Sequence, residues 1–181
     1  TETAGGSFGI GKFAPYAVSR LRTVFVSTAF QADSGDFMQY TQGKSILMSH
    51  DDESSNRHQA VGFWGIREKC QPIVGQANDL PVWLARAPAN GTLADHVGTR
   101  LVILGFEGQA GWQESLAASI AENFFGAIHS KKLEVVIDEK YLINSTSIKD
   151  VLDNKDIAVA IINEKNEPEQ YSNSRDYYDC L

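Results

Sequence analysis

The stretch that most restricts the fold of this chain lies near its start: Gly5-Gly6-Ser7-Phe8-Gly9-Ile10-Gly11-Lys12, followed at once by Phe13-Ala14-Pro15-Tyr16-Ala17-Val18-Ser19. The glycines give a backbone free to take positive φ and to lie close against an anion. The run after them predicts a helix of about two turns from Lys12 to Ser19, with Pro15 in the first turn, where its missing N–H costs little. A glycine loop feeding a helix offers unsatisfied N–H groups and partial positive charge to phosphate oxygens, and Lys12 adds a mobile charge.

Three readings compete for this stretch. Gly6 to Lys12 fits the first seven positions of a P-loop, the signature of a phosphotransferase, but Phe13 stands where a Ser or Thr would hold magnesium. Gly9-x-Gly11-x-x-Ala14 fits a dinucleotide fingerprint, which must follow a buried strand, and Thr1-Glu2-Thr3-Ala4 supplies no apolar run for one. The third reading is structural: the glycines mark a flexible loop before a helix.

The run from Ala4 to Ser19 also resembles the lid and helix of the Bergerat-fold ATPases. These form the GHKL superfamily of gyrases, heat-shock chaperones, sensor histidine kinases and mismatch-repair proteins. Its G-x-F-G-x-G motif stands here as Gly6-Ser7-Phe8-Gly9-Ile10-Gly11, and the strand that leaves the helix as Arg22 to Thr28. A Gly-Thr pair opening a later strand is matched by Gly98-Thr99, followed by Arg100 to Leu104. The likeness covers roughly Thr3 to Asp138 and is nearest to large prokaryotic and phage ATP-binding proteins of the superfamily.

The resemblance implies that Gly6, Phe8, Gly9, Ile10, Gly11 and Lys12 surround the triphosphate of ATP, and that Thr99 lies near the base or its bridging water. Complete members carry, before the lid, an Asn that holds magnesium, a Glu that activates water and a D-x-G-x-G box. The expectation is therefore an ATP-binding portion without hydrolytic activity of its own. The Mg ligand is expected upstream of Thr1, and the missing N-terminal segment or further domains of a longer protein as partners. No catalytic residue and no metal ligand is assigned. The other class is an interaction module without nucleotide activity, using the connector from Arg67 to Val97 and the helix that begins at Trp112.

A chain of 181 residues with 43% hydrophobic residues is long enough for a core. Its net charge of −7 argues against a surface for nucleic acid. No apolar run approaches the roughly 20 residues of a membrane span. Cys70 and Cys180 are far apart and not in metal-ligand spacing, which suits reduced thiols and a cytoplasmic location. His50 and His58 flank a polar loop, but their spacing matches no structural zinc pattern, so the metal reading is rejected. His96 is left outside the site.

The patterning predicts an α+β fold: a mostly antiparallel sheet with helices on one face. Strands are expected at Arg22–Phe30, Phe37–Ser49, Val61–Ile66 and Arg100–Leu104. Within the last, Leu101 to Leu104 is continuously apolar and is expected to be central and covered on both faces. Only Asp79 to Arg86 looks helical within the connector.

The strongest helical signal is the stripe Trp112, Leu116, Ile120, Phe124 and Ile128, expected to face the sheet. On that reading Phe124→Ala costs roughly 3–5 kcal/mol. A domain boundary is expected near Glu139, giving a nucleotide-binding part over 1–139 and an extension over 140–181. In that extension Asp156 to Ile162 is apolar without clear period, and Asn163 to Asp176 has the composition of a disordered tail.

Overall fold

The β-branched run after Arg22 forms β1 (Thr23–Gln31), and the chain turns back into β2 (Phe37–Ile46). The computed structural model that shows this describes residues 10–75, 80–87, 91–165, 175–176 and 178–180. A single turn of 3-10 helix (Ile10–Phe13) runs into the short α1 (Ala14–Ala17), with Pro15 in its first turn as expected. Beyond β2 come β3 (His50–Asp51), β4 (Arg57–His58), β5 (Val61–Trp64), β6 (Ile73–Val74) and β7 (Gly98–Ile103). They are followed by α2 (Trp112–His129), β8 (Val135–Ile137), β9 (Tyr141–Ile143), α3 (Ile148–Leu152) and α4 (Lys155–Lys165).

The class is α+β, and the main sheet is antiparallel: five strands, ordered β5-β2-β1-β7, with β6 also paired to β2. One face of β1 carries Phe25, Ser27 and Ala29 inward, all buried. Gly43 sits opposite Phe25 in the register. A Cβ there would lie 2.5 Å from the Phe25 ring, which Trp64 and Trp83 hold edge-on at centroid distances of 5.4 and 5.2 Å. The aromatic cluster therefore needs glycine at position 43.

β7 departs from its expected place. It lies at the end of the strand path, and Leu101 is 52% exposed. The apolar run that suggested two covered faces belongs to an edge strand.

The expected helix over Asp79 to Arg86 also fails to form. Asp79 lies outside the described residues, and the segment after it makes one turn, closed by Leu84 N–H donating to the Pro81 carbonyl at 2.8 Å. The next backbone groups bond to the sheet instead. The Leu84 carbonyl accepts from Ser27 Oγ (3.0 Å) and Gln39 Nε2 (3.1 Å), the Ala85 carbonyl from Arg100 Nη1 (3.0 Å), and Arg86 N–H donates to Gln39 Oε1 (3.1 Å). Strand side chains thus satisfy the groups a helix would have satisfied internally.

The chain divides into two compact units, 1–107 and 108–181. The boundary expected near Glu139 falls at a hairpin tip. Asp138 and Glu139 both have positive φ, 49° and 56°, and Lys140 N–H donates to the Ile137 carbonyl at 2.9 Å, a two-residue turn of the mirror-image kind that fits strand twist. The strands it joins, β8 and β9, bury Ile137 and Ile143 in one cluster, so no domain boundary falls between them.

In this second unit α2 packs against α3, α4 and β9. Its buried residues are Ala117, Ala118, Ala121 and Ile128, joined by Ile148, Val151, Leu152 and Ile157. Trp112, Ile120 and Phe125 pack at the margin, whereas Leu116 and Phe124 are 42% and 52% exposed. The stripe expected to face the sheet is therefore rotated: the alanines let the neighbouring helices approach, and two of its large members stand outside. The apolar stretch from Asp156 is helical, and α4 extends through residues 163–165, where a tail was expected. Glu114, in the first turn of α2, accepts from Tyr141 Oη at 2.9 Å and from Lys140 Nζ, and these bonds tie the helix start to the hairpin. They hold the Glu114 carboxyl below, and the Lys140 ammonium above, their ordinary pKa values, the mutual hydrogen bond being the main cause.

Candidate functional site

Of the predicted site residues, Gly6, Phe8 and Gly9 lie outside the described residues, and Ile10, Gly11 and Lys12 begin the helical segment. Ile10, Gly11 and Lys12 belong to its 3-10 turn; Gly11 and Lys12 are exposed, and among the described residues no atom would crowd a Cβ on Gly11. The Lys12 ammonium lies over the Phe13 ring, 5.2 Å from its centroid.

The end of this segment is fastened to the end of β7. Buried Ser19 donates through Oγ to the Leu104 carbonyl at 2.6 Å and accepts from Thr23 N–H at 3.1 Å. Arg20 N–H donates to the Gly105 carbonyl at 2.9 Å, and Glu107 N–H to the Val18 carbonyl at 3.1 Å. Arg22 Nη1 donates to the Tyr16 carbonyl at 3.0 Å, and burial pushes the Tyr16 phenol above its ordinary pKa.

Thr99 is held near the other end of β7. It stands directly across from Thr28 in the register, and the two hydroxyls are 3.1 Å apart on an exposed sheet face. Among the described residues no hydrogen bond joins Thr99 to Gly11 or Lys12. Leu104 lies five positions beyond Thr99, roughly 17 Å of extended strand. Thr99 and the Ser19 anchor of the helical segment thus mark two ends of one strand pair. Thr28 was missed by sequence reasoning, because only the register shows which β1 residue faces Thr99. Gly98 has φ +124°, a conformation L side chains rarely adopt, which accounts for glycine before Thr99.

The opposite face of the same strands holds a buried polar network that sequence patterning did not signal. Gln39 Nε2 donates to Ser27 Oγ (2.9 Å) and Thr41 Oγ1 (3.0 Å), and the two hydroxyls are themselves 3.0 Å apart. All three residues are essentially inaccessible to solvent. Beside them, Arg86 Nη2 donates to the His96 carbonyl at 2.9 Å, and burial together with the Arg100 charge lowers the Arg86 pKa.

His50 and His58 are cross-strand partners of the β3–β4 ladder, their rings stacked 5.2 Å apart. Among the described residues no group of three His, Cys, Asp or Glu suits a metal ion. The turn between them is organised by Asp52, whose carboxylate accepts from Ser54 N–H (2.9 Å), Asn56 N–H (2.8 Å), Asn56 Nδ2 (3.1 Å) and His58 Nε2 (3.1 Å). These bonds, that from the Asn56 backbone foremost, lower its pKa from 3.8 to about 2. A carboxyl depressed by folding stabilises above its unfolded pKa and loses that contribution as pH falls through the folded value. The β3–β4 turn should therefore hold at pH 4 and loosen towards about 2, read as a titration of the Ser54 and Asn56 amide resonances. A midpoint at the ordinary carboxylate value would contradict this assignment.

In the second unit a pocket of about 320 Å³ is lined by Lys131, Lys132, Glu134 and Asn144 among others, and contains none of the predicted site residues. Cys70 and Cys180 are free and exposed. No helix among the described residues is long and apolar enough to cross a membrane. No protein-family model, curated protein or solved structure matches the chain.

Proposed function

We propose that the first unit is the ATP-binding portion of a GHKL-type ATPase, in which the segment from Gly6 to Lys12 meets the triphosphate and Thr99 the base. One observation carries this reading. The strand opened by Gly98-Thr99 pairs antiparallel with β1, the strand entered from the helix after the glycine motif, although the two boxes are far apart in sequence. Independent glycine turns have no reason to converge on one strand pair. The antiparallel sheet counts against the P-loop alternative, which sets its glycine loop after a strand of a parallel sheet.

The described residues of the chain offer ATP an exposed cation, Lys12, and paired hydroxyls, Thr28 and Thr99. They offer magnesium no cluster of acidic or histidine ligands. In this proposal the ion arrives with the nucleotide and neutralises phosphate charge, while the chain binds and orients the ligand. The free thiols agree with a cytoplasmic location.

The test is a titration of the isotopically labelled chain with ATP and magnesium, with tripolyphosphate and adenosine as separate arms. ATP should shift the amide resonances of Gly9 to Lys12 and of Thr28 and Thr99. Tripolyphosphate should shift the first group and adenosine the second. Lys12→Ala should weaken ATP binding about tenfold, the loss of one charge-assisted contact. The absence of any shift at millimolar ATP, or shifts unchanged by Lys12→Ala, would overturn the proposal.

A further inference from the structure

The geometry points to a second anion site in the first unit, formed by Arg86 and Arg100 at the start of β7, that takes a phosphate group. Gly98 and Arg100 are two residues apart on one strand and so project to the same face. That face is the one opposite Thr28 and Thr99, since Arg100 stands across from Ser27. The Arg86 guanidinium lies over Gly98: its Nη2 is 3.9 Å from where a Cβ on that glycine would stand. The two arginines therefore share one corner of the sheet, where the Arg100 charge bears on the Arg86 guanidinium.

Each is aimed by a single backbone bond, Arg86 Nη2 to the His96 carbonyl at 2.9 Å and Arg100 Nη1 to the Ala85 carbonyl at 3.0 Å. Those bonds account for one donor of each group. Among the described residues, Arg86 Nε is buried and has no partner, and no carboxylate pairs with either arginine. Like charges fixed together raise the energy of the fold, and a bound anion lowers that cost. A carboxylate brings one charge, whereas a phosphate brings nearly two at neutral pH together with acceptor oxygens for two guanidinium forks. The site lies on the other sheet face from Thr99 and does not depend on the ATP reading.

The experiment follows arginine Nε–H resonances of the labelled chain during titration with inorganic phosphate at constant ionic strength, with acetate as a parallel arm. Phosphate should shift the Arg86 Nε–H saturably and slow its exchange with water. Arg100→Gln should weaken this response about tenfold or more, while Arg57→Gln in the β3–β4 ladder leaves it unchanged. Arg100→Lys, which keeps the charge but not the fork, should weaken it less than Arg100→Gln. The wild-type titration decides the matter even where a variant fails to fold. No saturable shift at Arg86, a response unaltered by Arg100→Gln, or acetate binding as tightly as phosphate would each overturn the assignment.

Discussion

Ile128→Ala is expected to destabilise the second unit by about 2–5 kcal/mol, the usual range for emptying a fully buried aliphatic site. Ile128 is inaccessible to solvent and belongs to the cluster that α2 forms with α3, α4 and the β8–β9 hairpin. Phe124→Ala on the same helix should cost only about 1 kcal/mol, because roughly half of that side chain already faces solvent. The two substitutions are one turn apart and both remove a large apolar group, so the contrast isolates the helix face. Hydrogen exchange of the α2 amides under mild denaturant reports on this unit separately from the sheet. Equal losses for the two variants would return the outer stripe to the core and contradict a buried face built on the alanines.

Gln39→Leu should be nearly as damaging, at about 3 kcal/mol, although it replaces a polar residue with an apolar one of similar size. Gln39 uses both ends of its amide: Nε2 serves Ser27, Thr41 and the Leu84 carbonyl, and Oε1 takes Arg86 N–H. Leucine would leave the Arg86 amide without its acceptor and take from the two hydroxyls the amide donor they share in a dry site. The connector should loosen first, so proteolysis around Pro81–Arg86 should rise before the β1–β2 hairpin unfolds. A neutral Gln39→Leu variant would mean that water replaces the amide, and the connector would then owe its place to Leu80, Leu84 and the bonds from Ser27 and Arg100.

These two cases also show what the sequence disclosed and what it hid. The β1–β2 hairpin was legible because β-branched runs flank a turn of Ala32 to Asp36, a local signal. The existence of α2 was equally legible, but its buried face was not. Large side chains dominate a periodic pattern, whereas close helix contact selects the small ones, here Ala117, Ala118 and Ala121. β7 misled for a related reason: an apolar run reports hydrophobicity, and whether a strand is central or at an edge depends on partners elsewhere in the chain.

The connector gave almost no periodic signal because its order comes from outside it, from Ser27, Gln39 and Arg100 reaching up from the strands. In the proposed site, the glycines and Lys12 are a local sequence signal for an anion. Thr28 gives none, since nothing in a single strand says which residue will meet Thr99.

The pairing of Thr28 with Thr99 has a further consequence for which length changes the chain can accept. Strand side chains alternate between faces, so one residue added to or removed from β1 between Val24 and Thr28 would turn every later position over. Thr28 would then leave Thr99, and Ser27 would leave the Gln39 network, so that one indel would dismantle both faces together. An added residue in the bend at Ala32–Asp36 shifts no strand position and stays on the surface. A library of single-codon insertions across residues 23–36 should therefore be depleted of folded members up to Phe30 and populated beyond Gln31, a boundary drawn by register alone.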